Sequence, residues 1–174
     1  MEHQKKVTAM EKIVIELCGG RMPEKAHGAD AAYDVFTRDD IELEPYMRTA
    51  ISLGFKMRLP ENLAAVIQPR SGMSLLGMAC KARTEGGDVD TRVDADLLVG
   101  LIDSGYTGEV HAIVRVGCWM LLGGLKSCHR VYIPAGTKIA QMRIVRIPRT
   151  EFVEGTVGKD TERGDNWSNS TGVR

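Results

Sequence analysis

Apolar and polar residues alternate with a period of two along much of this chain, and that pattern constrains the fold more than any other feature. In "AISLGFKMRLP" (50–60) the residues on one face are Ile51, Leu53, Phe55, Met57 and Leu59, and those on the other are Ser52, Gly54, Lys56 and Arg58. Successive side chains of a β-strand point to opposite faces, so this segment predicts a half-buried strand. "GEVHAIVRV" (108–116) repeats the pattern, and "EKIVIELC" and "TKIAQMRIVRI" predict further strands.

Pro and Gly separate these short segments, which is typical of an all-β sandwich or barrel. The chain has 174 residues, which favours one domain. We expect one short helix in "GMSLLGMACKA" (72–82), a loop or hairpin in the charged stretch 81–96, and a β-hairpin in "GLIDSGYTGEV" (100–110), where Gly105 could take positive φ. Apolar residues become rare after residue 148, so residues 151–174 are interpreted as a flexible C-terminal arm outside the β domain of residues 1–150.

The charge balance argues against a nucleic-acid or membrane-surface partner, because Lys plus Arg and Asp plus Glu both number 23. No apolar run approaches the roughly 18 residues that span a bilayer, and the N-terminus lacks the features of a signal peptide. The four cysteines form no C-x-x-C pair and are expected to be reduced thiols of a cytoplasmic protein. In that compartment the Arg-Gly-Asp tripeptide at 163–165 and the sequons at Asn166 and Asn169 carry no function.

Four segments contain residues that are unusual for plain strands and turns. "ADAAYDVF" (29–36) places Asp34 among apolar neighbours, and "AGTKIAQMRI" (135–144) does the same for Gln141. "QPRSGMS" (68–74) presents Arg, Ser and Gly ahead of the expected helix, where free N–H groups suit a phosphate. "GLIDSGYTGEV" contains Asp103 and Tyr106. Each also has a structural explanation as a turn, a cap or a packed strand residue, and neither a P-loop nor a Rossmann fingerprint is present.

The order of these segments carries more information than any one of them. "AAYD", "PRSG", "GLIDSGYTGEV", "GTKIAQM" and the C-terminal "RG…STG" resemble, in sequence order, the five motifs of the trimeric dUTPase family, from about residue 21 to 172. The resemblance implies a jelly-roll-like β subunit, a homotrimer with active sites shared between subunits, and Mg²⁺. It also implies hydrolysis of dUTP to dUMP and pyrophosphate by water attack on the α-phosphorus, which limits uracil incorporation into DNA and supplies dUMP for dTMP synthesis.

The resemblance also assigns roles to individual residues. Asp103 would be the base that deprotonates the attacking water. Tyr106 would lie against the deoxyribose and exclude a 2′-hydroxyl, while the backbone of Gly100 and Leu101 would pair with uracil. The phosphate-binding residues would be Arg70, Ser71, Gly72 and Gln141, with Ser74 a weaker candidate, and Arg163, Ser170 and Thr171 of the arm. Asp34 would accept a hydrogen bond from a metal-bound water, as an outer ligand of Mg²⁺.

Three departures from the family pattern stand out. Residues 81–96 resemble an insertion, read as a surface hairpin or else as a contact for a partner, and Ala32 replaces a common Gly. In the tail Trp167 falls one residue before the family's Phe, and we expect it to stack on uracil through a local shift. Two other functions stay open: a dCTP deaminase or bifunctional deaminase-dUTPase on this fold, and a non-catalytic nucleotide-binding regulator.

Overall fold

The structure is a computed structural model that describes residues 10–117 and 130–158. Within these residues it contains twelve strands and one helix, as the period-two alternation predicts. The strands are β1 (Val14–Leu17), β2 (Tyr33–Phe36), β3 (Ile41–Glu42), β4 (Arg48–Arg58), β5 (Leu63–Gln68), β6 (Met78–Thr84), β7 (Gly87–Val93), β8 (Ala95–Leu98), β9 (Gly100–Ile102), β10 (Glu109–Val116), β11 (Arg130–Ile133) and β12 (Lys138–Arg146), and helix α1 is Ser71–Leu76.

The strands form three four-stranded sheets, and every pairing between named strands is antiparallel. Their orders are β1-β4-β10-β8, β3-β11-β6-β7 and β2-β12-β5-β9. Inward-facing side chains from all three sheets meet in one apolar core, whose largest fully buried members include Ile51, Leu53, Phe55, Ile67 and Ile133. The third sheet, β2-β12-β5-β9, carries Asp34, Gln141, Gly100 and Leu101, and it leads directly into helix α1 after β5 and into the turn after β9.

Strand β4 is buried on both faces over part of its length, which its alternating pattern does not predict. Ser52 and Gly54 lie on the polar face, yet both are buried. Gly54 has φ +69°, and its carbonyl accepts hydrogen bonds from the N–H groups of Cys18 and Gly20, at 2.7 and 3.0 Å. A Cβ on Gly54 would overlap the backbone of Gly20, so this close approach of two chain segments requires glycine.

The helix is shorter than predicted. It ends at Leu76, and Gly77, with φ +78°, turns the chain into β6 at Met78. The expected helix over 72–82 is therefore wrong beyond residue 76, because Met78 and the residues after it pair with β7 across the sheet. Most of the charged stretch 81–96 forms a hairpin, which is one of the expected structures. This β6–β7 hairpin begins earlier than expected, at Met78, and ends at Val93, because Ala95 and Asp96 already belong to β8 in another sheet.

The predicted hairpin over residues 100–110 is wrong. β9 pairs with β5, whereas β10 pairs with β4 and β8, so the segment passes from one sheet to another. A tight turn follows β9, in which the Tyr106 N–H donates to the Asp103 carbonyl at 3.1 Å. Gly105 is not among the described glycines with positive φ, so the turn does not use the conformational freedom expected of it.

Candidate active site

Two hydrogen-bonded strand pairs bring Asp34 and two glutamines side by side in the β2-β12-β5-β9 sheet. Gln141 on β12 is the direct partner of Asp34 on β2 and of Gln68 on β5. Directly opposed residues of antiparallel strands present their side chains to the same face. Asp34 is 5% exposed, as its apolar neighbours predict, and Gln141 and Gln68 are half-buried. The sequence motifs of Asp34 and Gln141, far apart in the chain, therefore form one row.

Asp34 is held between two cations. Its Oδ2 accepts a hydrogen bond from Lys138 Nζ at 2.9 Å, and its Oδ1 lies 3.1 Å from Arg70 Nε. The Arg70 contact is an ion pair without hydrogen-bond geometry, so Oδ1 forms no hydrogen bond with the described residues. A carboxylate that is almost completely buried needs such partners, because burial of an uncompensated charge is costly. The pairing fixes Arg70 beside Gln141.

Arg70 also marks the start of helix α1. It is the N-cap residue, with extended backbone at φ −81° and ψ 146°, and Pro69 precedes it. Its carbonyl accepts hydrogen bonds from the N–H groups of Met73 and Ser74, both at 3.0 Å. The Ser74 hydroxyl donates to the same carbonyl at 3.3 Å, which weakens Ser74 further as a ligand candidate. Ser71 and Gly72, in the first helical turn, are exposed.

A cavity of about 280 Å³ opens between the start of α1 and the start of β12. The predicted phosphate-binding residues that line it are Arg70, Ser71, Gly72 and Gln141. Two further cations that the motifs did not single out, Lys138 and Arg92, line it as well. No Asp or Glu of the described residues contributes to its wall. A cavity lined by three cations and several polar groups suits a multiply charged anion.

The second group of predicted residues lies elsewhere on the subunit. Gly100 and Leu101 are on β9, an edge strand of its sheet, and Asp103 and Tyr106 occupy the turn after it. Asp103 is exposed, Leu101 is 65% exposed and Tyr106 is 47% exposed. The Tyr106 hydroxyl donates to the Glu109 carbonyl at 2.9 Å, which fixes the ring across the turn.

Glu109 anchors the far end of this turn. Its Oε1 accepts hydrogen bonds from the Ser52 hydroxyl and from Arg38 Nη1, the latter at 2.8 Å. The Ser52 hydrogen bond and then the positive charge of Arg38 favour the ionised carboxylate, so the pKa of Glu109 lies below its usual value. These contacts attach the first residue of β10 to β4 and stabilise the position of Tyr106.

The two groups are far apart within one subunit. Asp34 is on β2, three inter-strand spacings of about 4.8 Å from β9. Ile102, the last residue of β9, pairs with Ala65, about 10 Å along the strand from the level of Asp34. The backbones of Asp34 and Ile102 are thus on the order of 17 Å apart, and the chain continues from Ile102 away from Asp34. Consistent with this separation, Asp103 is not among the residues that line the cavity of its own chain.

The structure accordingly places the predicted site residues in two groups. The first group is at or beside the cavity and contains Asp34, Arg70, Ser71, Gly72 and Gln141. The second group is at β9 and the turn after it and contains Gly100, Leu101, Asp103 and Tyr106. Arg163, Trp167, Ser170 and Thr171 lie outside the described residues. Sequence reasoning missed Lys138 and Arg92. Lys138 stood inside the quoted segment "GTKIAQM", whereas Arg92 gave no signal, because a charged loop or hairpin is normally interpreted as solvated surface.

Two absences are observed in the part of the chain that the structure describes. No group of three or more His, Cys, Asp or Glu side chains is arranged to hold a metal ion. No helix in residues 10–117 and 130–158 is long and apolar enough to cross a membrane.

Comparison with known proteins identifies the same family by a family model and by individual relatives. The family model for dUTPase matches residues 19–172. The deoxyuridine 5'-triphosphate nucleotidohydrolase of Clostridium kluyveri is 32% identical over 153 residues, which cover 87% of this chain and 90% of that protein. The enzyme of the same name from Gloeothece citriformis is 31% identical over 168 residues, covering 97% and 96%.

Solved structures show the same fold. A Staphylococcus bacteriophage 80alpha dUTPase mutant with dUpNHpp matches with a TM-score of 0.73 at 24% identity, covering 94% of this chain and all of that one. A mutant of the dUTPase from phage phi11 of S. aureus, which coordinates a structural Mg(II) ion, matches with a TM-score of 0.65 at 22% identity, covering 83% and 97%. The predicted all-β fold is thus confirmed.

Proposed function

The chain belongs to the dUTPase family, and on that premise we propose that it hydrolyses dUTP to dUMP and pyrophosphate. The observation that carries the proposal is the cavity that collects Arg70, Ser71, Gly72 and Gln141 with additional positive charge. A triphosphate is the anion that best uses so many donors in one place. The named relatives share this activity by their description, and they match over nearly the whole chain.

The nucleoside would bind at β9 and the turn after it. β9 is an edge strand, so the backbone groups of Gly100 and Leu101 that do not pair with β5 are available to the uracil edge. Tyr106, held across its turn by its hydroxyl, would pack against the deoxyribose and exclude a 2′-hydroxyl. Trp167 of the C-terminal arm would cover the uracil, and Arg163, Ser170 and Thr171 would bind the γ-phosphate.

Asp103 would act as the base. Its exposed carboxylate takes a proton from a water molecule, whose oxygen forms a new bond to the α-phosphorus. The bond from that phosphorus to the bridging oxygen breaks, and the electron pair leaves with pyrophosphate. Arg70, Ser71, Gly72 and Gln141 would hold the phosphates in line during this displacement, so that the reaction is one of positioning and charge stabilisation.

Mg²⁺ fits the residues that are present. The buried Oδ1 of Asp34 forms no hydrogen bond with the described residues, so it would accept one from a metal-bound water once Arg70, whose Nε lies 3.1 Å away, shifts towards bound phosphate. Mg²⁺ commonly keeps several waters and binds through few carboxylates and the substrate phosphates. When bound it would neutralise phosphate charge. Asp34 would then have two tasks, to orient a metal-bound water and to hold Arg70.

The distance between the two residue groups supports a site shared between subunits. Because Asp103 does not line the cavity of its own chain, a substrate that reaches both must lie between two copies. We therefore propose an oligomer in which the turn of one subunit faces the phosphate cavity of its neighbour, and the resemblance to the trimeric dUTPase family implies that this oligomer is a homotrimer. The C-terminal arm, residues 151–174, would close over the site as a lid.

A pyrophosphate-release assay with dUTP, dTTP, UTP and dCTP, each with and without Mg²⁺, tests the proposal. We expect release from dUTP only, and much slower release after Mg²⁺ is chelated. Ammonia released from dCTP would instead identify a dCTP deaminase or a bifunctional deaminase-dUTPase. Tight dUTP binding without any pyrophosphate would identify a non-catalytic regulator, with the β6–β7 hairpin as its candidate partner contact.

A further inference from the structure

The β6–β7 hairpin places a cation in the phosphate cavity that no motif of the family accounts for. Arg92 on β7 lines the cavity together with Arg70 and Lys138. Those two share the carboxylate of Asp34, so part of their charge is compensated. Arg92, in contrast, forms no ion pair with the residues that the structure describes. Its charge is available to a bound anion.

The surroundings of Arg92 leave room for that anion. Arg92 is the direct cross-strand partner of Ala79, and the two lie on the same face of the hairpin. Met78 and Val93, the adjacent residues in the two strands, are buried in the core, so Ala79 and Arg92 face away from it. Ala79 also lines the cavity, and its methyl group leaves the space beside the guanidinium open.

One contact orients the Arg92 side chain and leaves most of its donors unused. Its Nη1 donates to the Gly77 carbonyl, just after helix α1, at 2.8 Å. A guanidinium has five N–H donors in a fixed plane, so others can bind a second acceptor at the same time. Because Gly77 lies just after the helix that carries Ser71 and Gly72, Arg92 is attached to the same structural unit as the predicted phosphate residues.

We propose that Arg92 is an additional phosphate-binding residue, contributed to the triphosphate site by the inserted hairpin. The inference rests on the proposed function, because it specifies how this chain binds the triphosphate of dUTP. The hairpin is thereby part of the site and not solely a surface element. Arg92 contacts the polyphosphate and not the nucleoside, since it lines the cavity together with the predicted phosphate-binding residues Arg70 and Gln141.

The test compares Arg92→Gln, Arg92→Lys and the control Lys81→Gln in the full-length protein. Lys81 lies on the same hairpin, pairs with Asp90 at 3.6 Å and does not line the cavity, so its replacement removes the same charge from a different place. Three quantities are measured for each variant. They are the KM and kcat for dUTP, the affinity for inorganic tripolyphosphate, and the affinity for dUMP.

We expect Arg92→Gln to raise the KM for dUTP and to weaken tripolyphosphate binding, each by about tenfold, the loss typical of a charge-assisted hydrogen bond. The affinity for dUMP and the kcat for dUTP should each change by less than about twofold. The first depends mainly on the residues that bind the nucleoside, and the second on the base that activates the water. Arg92→Lys should recover part of the loss, since it keeps the charge but not the planar fork. Lys81→Gln should behave as the wild type.

Two results would overturn the inference. Unchanged tripolyphosphate affinity in Arg92→Gln would show that the side chain does not bind phosphate. Equal losses for tripolyphosphate and dUMP with a lowered melting temperature would show that Arg92 only supports the end of α1. If the wild type releases no pyrophosphate from dUTP while Arg92→Gln still weakens tripolyphosphate binding, the proposed function fails and the phosphate role of Arg92 stands.

Discussion

Asp34 shows how one buried carboxylate can position two cations. It lies between Lys138 Nζ at 2.9 Å and Arg70 Nε at 3.1 Å, and its side chain is 6% exposed. Removal of the carboxylate would leave two cations close together without compensation, and Arg70 would lose the contact that directs it to the cavity. The ion pair therefore has a positioning role for the proposed phosphate site.

Asp103 is the residue on which turnover should depend most. We predict that Asp103→Asn lowers kcat for dUTP by about 10²–10⁴-fold, because an amide cannot accept the proton of the attacking water. The KM should stay within a few-fold, since the phosphate and uracil contacts remain. Steady-state kinetics measure both, with Asp96→Asn on β8 as the exposed control. A variant that keeps more than half of the wild-type kcat would exclude Asp103 as the base.

Trp167 is the proposed cover of the uracil ring. We predict that Trp167→Ala lowers kcat/KM for dUTP by about tenfold, the loss of one aromatic stacking contact with a base. Trp167→Phe should retain most of the activity, because a smaller ring still stacks. Both are measured by pyrophosphate release at substrate concentrations below KM. Full kcat/KM in the Ala variant would contradict the stacking role.

For single residues, the sequence predicted which side chains are buried or lie close together better than it predicted their individual contacts. The burial of Asp34 and the shared location of Arg70 and Gln141 follow from local patterns and motif order. Lys138, however, is 104 residues from Asp34 in the chain, and only the pairing of β2 with β12 brings them together. Arg92 faces the cavity because β7 pairs with β6, and such long-range pairing leaves no mark on local composition.

Among the structural elements, the close contact between residues 18–20 and strand β4 depends on the absence of a side chain at Gly54. We predict that Gly54→Ala lowers the free energy of unfolding by at least about 2 kcal/mol, because alanine disfavours positive φ and its Cβ would overlap Gly20. Urea denaturation measures the change. The control is Gly28→Ala, where an added Cβ meets nothing within 4 Å. Equal stability of both variants would contradict the close approach.

The stability that the Glu109 contacts between β10 and β4 contribute to the fold should depend on pH. The Ser52 hydroxyl and Arg38 lower the pKa of Glu109 below its ordinary value of 4.5 in the folded protein. The ionised Glu109 carboxylate therefore contributes its full stabilisation when the pH is above about 4.5. That contribution is lost as the pH falls through the lower, folded-state pKa. Glu109→Gln should therefore be less stable than the wild type at pH 7, and the difference should shrink towards pH 3.

Urea midpoints between pH 7 and pH 3 measure this effect. Glu61→Gln is a suitable control, because Glu61 is exposed and forms no ion pair with the described residues. A difference between the wild type and Glu109→Gln that stays constant across this range would mean that the carboxylate contributes no ionisation-dependent stability.

The element boundaries show where periodicity is informative and where it is ambiguous. β10 follows its alternation closely, since one face packs on the core, whereas β4 follows it only outside the stretch from Ile51 to Phe55, which is buried on both faces. "GMSLLGMACKA" satisfies a helical pattern, yet its second half joins a hairpin, because pairing with β7 outweighs a weak helical preference. The segment after Gly100 has the composition of a hairpin, but its two strands have other partners.

For the whole molecule, the separation of the two residue groups is the central structural result. Within one chain the proposed phosphate ligands lie around the start of α1 and on β12, whereas the proposed base follows β9, at the other edge of that sheet from Asp34, and does not line their cavity. An assembly in which neighbours supply the missing part explains why Tyr106 and Leu101 are exposed in a single subunit. In the proposed homotrimer, the complete site would form only between subunits.

The activity of oligomers that combine two different inactive variants tests most directly whether each active site is shared between subunits. Arg70→Gln and Asp103→Asn subunits are each expected to be inactive, since one lacks a phosphate ligand and the other the base. If each site combines Arg70 of one subunit with Asp103 of its neighbour, co-refolded equimolar subunits should regain about a quarter of the wild-type rate of pyrophosphate release from dUTP, because random assembly leaves that share of sites intact. A mixture no more active than the separate variants, under conditions in which the wild type refolds to full activity, would contradict the shared site.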